Sequence, residues 1–323
     1  MGNKSISNLY TIFALLISIL LHGGCAADAP AVLSTYQNQR AFDKPELAVT
    51  TLADAVKTRD TKTLDEIFGP EGRSVLASGD PVADKHAREV FTVAIAEQWK
   101  LVDDGADKKE LVIGDEQWPF PIPLQKDSHG WWFDTAAGKE EVRARRIGRN
   151  ELATIGVCRA YVSAQRKYAS EGHDGKPAGV FAQKVHSDEG KHNGLYWPRA
   201  RGDSTSSPLG DLAAKAVKEG YSTGGKDTSA PYYGYFYRIL TRQGASADGG
   251  AKDYVVGGDN GGGDMTGGFA LIAWPAQYGN SGIMTFIVGP DGVVYENDLG
   301  ADTSTIATGI KEYNPDADWE ISK

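Results

Sequence analysis

A polar stretch near the middle of the chain carries the residue types that bind divalent metals in proteins. His186, Asp188, Glu189 and His192 fall within the segment HSDEGKH, and imidazole and carboxylate groups are common zinc ligands. A helical zinc site places its two histidines at positions i and i+4, whereas these two are six residues apart. Polar neighbours without an apolar period predict a solvated loop. We therefore expect no cofactor, and a metal site at His186, Asp188 and His192 is the alternative.

A glycine-rich segment offers a second set of possible metal ligands. Its sequence is GGDNGGGDMTGG, residues 257–268, with Asp259, Asn260 and Asp264 as oxygen ligands for calcium. It lacks the alternating acids and the closing glutamate of an EF-hand loop. The Gly-Lys-Ser/Thr end of a phosphate-binding loop is also missing. We expect a loop without a bound ion.

Ser281 is the candidate nucleophile, because it stands in the sequence GNSGI. The nucleophile elbow of α/β-hydrolases requires the pattern GxSxG, and Ile283 occupies the last of these positions. No local signature assigns a histidine or an acid to this serine. We therefore assign no catalytic residue.

Runs of aromatic residues form the remaining candidate site. Neighbouring residues of a β-strand point to opposite faces, so each run must place at least one ring outside the core of its own sheet. The rings that could face a ligand are Trp131, Trp132, Tyr233, Tyr235, Trp274 and Tyr278. Packing beneath a helix or a second domain is the favoured interpretation, and a surface for a glycan or a protein is the alternative.

The N-terminal residues predict export from the cytoplasm. An apolar run, LYTIFALLISILL, covers residues 9–21 behind a single basic residue, Lys4. A membrane-spanning helix needs about 20 apolar residues, so this shorter run is typical of a signal peptide, residues 1–24. The tetrad HGGC that ends at Cys25 resembles the lipobox of bacterial lipoproteins. We expect a lipid on Cys25 to hold the chain at a membrane, and ordinary cleavage without a lipid is the alternative.

The composition limits the partners of the chain. Its 323 residues carry a formal net charge of −9. Such an acidic chain repels nucleic acids, so we expect no nucleic-acid partner. Cys25 and Cys158 are the only cysteines. With Cys25 lipidated no disulfide can form, and the apolar helical pattern around Cys158 predicts a buried, inert thiol.

The organisation after the signal peptide predicts an α+β fold with two domains. Residues 25–44 are interpreted as a tether and residues 45–138 as a small α+β domain. Helices precede strands in this domain, which makes it similar to the NTF2/cystatin-like class. Its segment WPFPIPLQ alternates apolar residues with prolines. Because prolines at this spacing remove the donors along one edge, we predict an edge strand over residues 118–125.

Residues 139–323 are interpreted as a second domain. It begins with a polar helix from Lys139, which we expect Gly148 to interrupt and Asn150 to cap again. Strands are predicted over residues 232–240, 269–275, 282–288 and 293–298. The turn GPDG joins the last two as a hairpin. A long helix followed by an antiparallel sheet is similar to the globular part of pilins.

Several stretches of the chain together resemble one bacterial family. They are FPIPL (120–124), WWFDTAAGKEEVRARRIGRNEL (131–152), KHNGLYWP (191–198), YYGYFYRIL (232–240) and GGFALIAWPAQYGNSGIMTFIVGPDGVVYENDLG (267–300). This family is catalogued as domain of unknown function 2950. The resemblance implies a secreted or lipid-anchored envelope protein without an established activity.

These observations predict a binding or assembly module without catalytic activity. We expect it on the periplasmic or cell-surface face of a bacterial membrane, held through Cys25, with an envelope protein or a glycan as partner. A periplasmic or cell-surface hydrolase, metal-dependent or not, is the alternative.

Overall fold

The computed structural model describes residues 39–199, 205–219, 221, 230–258 and 262–322. The predicted signal peptide, Cys25 and residues 26–38 of the predicted tether lie outside these ranges. The described residues from Gln39 onward belong to one compact unit. None of the helices in these ranges is long and apolar enough to cross a membrane.

Four helices open the described chain: α1 Pro45–Thr58, α2 Thr61–Phe68, α3 Gly72–Leu76 and α4 Pro81–Glu97. Helices α2 and α4 begin where aspartate side chains accept hydrogen bonds from the first backbone N–H groups. Asp60 caps α2 in this way and Asp80 caps α4. Such caps satisfy donors that have no partner within the helix.

A five-stranded antiparallel sheet follows: β1 Trp99–Asp103, β2 Lys108–Ile113, β3 Trp118–Pro119, β4 Leu124–Asp127 and β5 Gly130–Phe133. The prediction of one continuous edge strand over 118–125 was wrong. β3 pairs with one end of β2, whereas β4 pairs with the other end of β2 and lies between β2 and β5. Prolines cannot donate to a ladder, so pairing resumes only after the last of them. Ile122, between the two strands, is fully buried.

One uninterrupted helix, α5 Thr135–Ser170, connects this sheet to the rest of the chain. The predicted interruption at Gly148 was wrong. A glycine inside a helix lowers helix stability by about 1 kcal/mol relative to alanine, and the packing of the flanking turns outweighs that loss. Arg146 and Asn150 are both buried. Asn150 caps no helix, because its Nδ2 donates to the carbonyl oxygen of Ser281 at 2.9 Å.

The C-terminal half contains the second five-stranded sheet, in the order β14-β13-β12-β11-β6 with antiparallel neighbours. Its strands are β6 Tyr235–Leu240, β11 Ala270–Pro275, β12 Thr285–Val288, β13 Val294–Asn297 and β14 Glu320–Ile321. The four strands and the hairpin predicted from the sequence are confirmed. The remaining elements are α6 Gly210–Glu219, β7 Arg242–Gln243, β8 Lys252–Asp253, β9 Val255–Val256, β10 Asp264–Met265 and α7 Thr303–Gly309.

Helices α5 and α7 cover opposite faces of this sheet. Tyr237 bonds to Thr154 of α5, whereas its strand neighbour Arg238 bonds to the end of α7. Adjacent strand residues point to opposite faces, so the two helices lie on different sides. Strands β11 and β12 are therefore buried on both faces.

The buried side chains form two hydrophobic cores. One lies between α1, α2, α4 and the first sheet, and the other lies between α5 and the second sheet. Residues 39–44, assigned above to the tether, pack on the first core, because Phe42 exchanges two backbone hydrogen bonds with Trp131. The α+β class is confirmed. The division at residue 139 and the likeness to NTF2/cystatin-like proteins and pilins stay predictions.

Candidate binding site

Most of the aromatic residues selected from the sequence are buried. The buried ones are Trp131, Trp132, Tyr235 and Trp274. Trp131 belongs to the first core, whereas Tyr235 and Trp274 belong to the second. Tyr233 is half-buried, and Tyr278 is 36% exposed. The structure therefore divides these rings between two cores and does not gather them on one surface.

The histidines considered for metal binding contact different aromatic rings. His186 lies edge-on to Tyr196 at 5.7 Å between ring centroids, and His192 stacks on Trp197 at 4.3 Å. Asp188 accepts hydrogen bonds from Lys184 and Asn193, each at 2.7 Å, and the bond from Lys184 lowers the pKa of Asp188. Among the described residues, no three His, Cys, Asp or Glu side chains come close enough to hold a metal ion.

The other two candidates from the sequence also have structural contacts. Asp259 and Asn260 lie outside the described residues, and Asp264 forms an ion pair with Lys176. The Ser281 side chain is buried. Its hydroxyl accepts a hydrogen bond from the backbone N–H of Gln277 at 2.9 Å.

Charged side chains of the long helix α5 tie the two halves of the fold together. Arg146 is buried and donates to Asn280 Oδ1 at 2.6 Å and to the carbonyl oxygen of Val75 at 2.8 Å. Burial lowers the pKa of Arg146. Further along α5, Glu151 Oε1 accepts hydrogen bonds from the backbone N–H groups of Ile283 and Met284 at 2.8 and 3.0 Å. These contacts fix the segment that leads from β11 to β12.

Asp80 makes a second buried connection in the same region. One carboxylate oxygen caps α4. The other accepts hydrogen bonds from the Tyr221 hydroxyl at 2.8 Å and from the backbone N–H of Gly234 at 3.3 Å. Gly234 has a φ of +73°, and a Cβ there would lie 2.7 Å from Asn150 Nδ2. Only glycine therefore fits the turn that starts β6.

Strand β6 is one of the two edge strands of the second sheet. Its first residue, Tyr235, lies opposite Pro275 of β11, which has no N–H to donate. Tyr235 instead exchanges backbone hydrogen bonds with Tyr232, at 3.2 and 2.9 Å. In an antiparallel pair, bonded and non-bonded residue pairs alternate. Tyr237 and Ile239 must therefore direct their backbone N–H and C=O groups away from β11, and within the described ranges no strand pairs with them there.

A basic hollow of about 330 Å³ lies beside this edge. It is lined by Arg238, Ile239, Leu240, Thr241, Arg242 and Lys311. A second hollow of about 400 Å³ shares Lys311 with the first, and its lining combines Ile287, Ile310 and Trp319 with the acidic residues Glu312 and Asp316. Lys311 therefore lines both hollows.

Arg238 positions the segment that supplies Lys311. Its guanidinium donates to the carbonyl oxygens of Ala307 at 2.8 Å and Thr308 at 2.9 Å, and to that of Ile310. Burial lowers the pKa of Arg238. Arg242 and Lys311 are both exposed. The hollow beside β6 thus has three cationic side chains in its lining. Arg242 is ion-paired with Asp253 at 3.5 Å, and Lys311 Nζ donates to the carbonyl oxygen of Thr308 at 2.7 Å.

Sequence reasoning missed Arg238, Arg242, Lys311 and Trp319. Lys311 lies about seventy residues after β6 in the chain, and only the strand order brings the two together. The one available signal was an arginine within the otherwise apolar strand YFYRIL.

The fold and this site define an α+β protein with an open, basic sheet edge. The chain belongs to the family described as protein of unknown function (DUF2950), whose sequence model matches residues 39–321. This match confirms the resemblance found in the sequence. No match was found among curated proteins or among solved structures.

Proposed function

We propose that the chain is an exported envelope protein, anchored through a lipid on Cys25, that acts as a binding or assembly module without catalytic activity. The open edge of β6 is the observation that supports a binding role. Tyr237 and Ile239 present two backbone donors and two acceptors to a strand from another chain. Proteins that bind extended peptides commonly add them to such an edge.

The anchored location rests on the sequence. The short apolar run before HGGC is typical of an exported lipoprotein. A lipid at Cys25 would hold the module at the periplasmic or cell-surface face of a bacterial membrane. Metabolic labelling with an alkyne fatty acid tests this part. Label on the wild type and none on Cys25→Ser is expected, and equal label on both would contradict it.

Site-specific photocrosslinking tests the binding role in the intact envelope. A photoreactive amino acid at Thr241, which is exposed beside the edge, should give a defined crosslinked species. The same probe at Lys57, which is exposed on α1, is the matched control and should not give it.

An edge variant makes this test specific. Ile239→Pro removes an N–H that points away from β11, so the β6–β11 ladder keeps its hydrogen bonds. The Thr241 crosslink should disappear in Ile239→Pro and persist in Ile239→Val. A crosslink that survives Ile239→Pro, or that forms equally from Lys57, would contradict binding at this edge.

A further inference from the structure

We draw no further inference here: the strongest candidate, the hollow of about 400 Å³ beside β12 that Glu312, Asp316 and Trp319 line, carries nothing, because its lining mixes one cationic side chain with two acidic ones and nothing in the structure shows what would occupy it.

Discussion

Arg146 Nη1 donates a hydrogen bond to Asn280 Oδ1 at 2.6 Å, across 134 positions of the sequence. The arginine belongs to the long helix, and the asparagine belongs to the segment between β11 and β12. The same guanidinium donates a hydrogen bond to the carbonyl oxygen of Val75, which lies in the first half of the fold. One side chain of α5 therefore connects α3 with the segment between β11 and β12. This connection has measurable consequences.

Arg146→Ala should lower the free energy of unfolding by about 3 kcal/mol, because it leaves buried acceptors without a donor. Asn280→Ala should cost about 1 kcal/mol. Chemical denaturation of both variants and of the double variant measures their coupling, and the double variant should lose less stability than the sum of the two single losses. Arg143→Ala is the control, since its ion pair with Glu140 is exposed and is worth less than about 1 kcal/mol. A loss for Arg143→Ala equal to that for Arg146→Ala would contradict the assigned role.

Asp80→Ala should also destabilise the fold, by about 3 kcal/mol, since it removes a helix cap and the acceptor for Tyr221. Asp60→Ala removes only an exposed cap and should cost about 1 kcal/mol. Thermal unfolding of both variants gives the comparison. Similar melting temperatures for the two would show that the bonds from Tyr221 and Gly234 to Asp80 contribute little.

The amide hydrogens of β6 should alternate in exchange rate. Phe236 and Arg238 donate into the sheet, so they should exchange at least about tenfold more slowly than Tyr237 and Ile239, which face outward. Residue-resolved hydrogen exchange by NMR measures this in the protein without a partner. Uniform protection along the strand would mean that the outward edge is covered.

The thiol of Cys158 should resist alkylation in the folded protein. Burial raises the pKa of Cys158 to about 12, and the thiolate is the reactive form. In a mature chain carrying Cys25→Ser it is the only thiol. Iodoacetamide should therefore label it at pH 8 only after denaturation, as mass spectrometry can show. Rapid labelling of the folded chain would contradict complete burial.

The same burial predicts lower stability at high pH. The folded state holds the Cys158 proton more tightly than the unfolded state does, so stability falls as pH rises from about 9 toward about 12. The slope approaches roughly 1.4 kcal/mol per pH unit for each such group. Burial also raises the pKa values of Tyr168 and Tyr232 to about 12. These two tyrosines therefore add to the loss of stability once the pH exceeds their ordinary pKa of about 10. Urea titrations across this range measure it, and a flat profile would contradict the shifts.

Replacing His186 and His192 should change stability slightly and without any dependence on metal. Loss of the stacking on Trp197 should make His192→Ala cost about 1 kcal/mol. Addition of a chelator should leave the melting temperature of the wild type and of the double variant unchanged. A chelator-sensitive melt that disappears in the double variant would restore the metal site at His186, Asp188 and His192.

The sequence alone determined most local structure and the class of fold. Apolar periods placed α1, α4 and α5, and turn residues placed the hairpin of β12 and β13, because these signals depend on neighbours within a few positions. It failed at Gly148 and at the prolines of WPFPIPL. At Gly148 the packing of the flanking helical turns outweighed the local preference, and at WPFPIPL the prolines interrupted the pairing that the apolar alternation predicted.

Tertiary structure decided the candidate site. The strand order put β6 at the edge, and Pro275 opposite Tyr235 fixed which backbone groups face outward. Arg238 then brought Lys311 beside that edge. None of these relations has a signature in the sequence, because each depends on which strand pairs with which and in what register. The burial of Trp131, Tyr235 and Trp274 was likewise decided by packing between elements far apart in the chain.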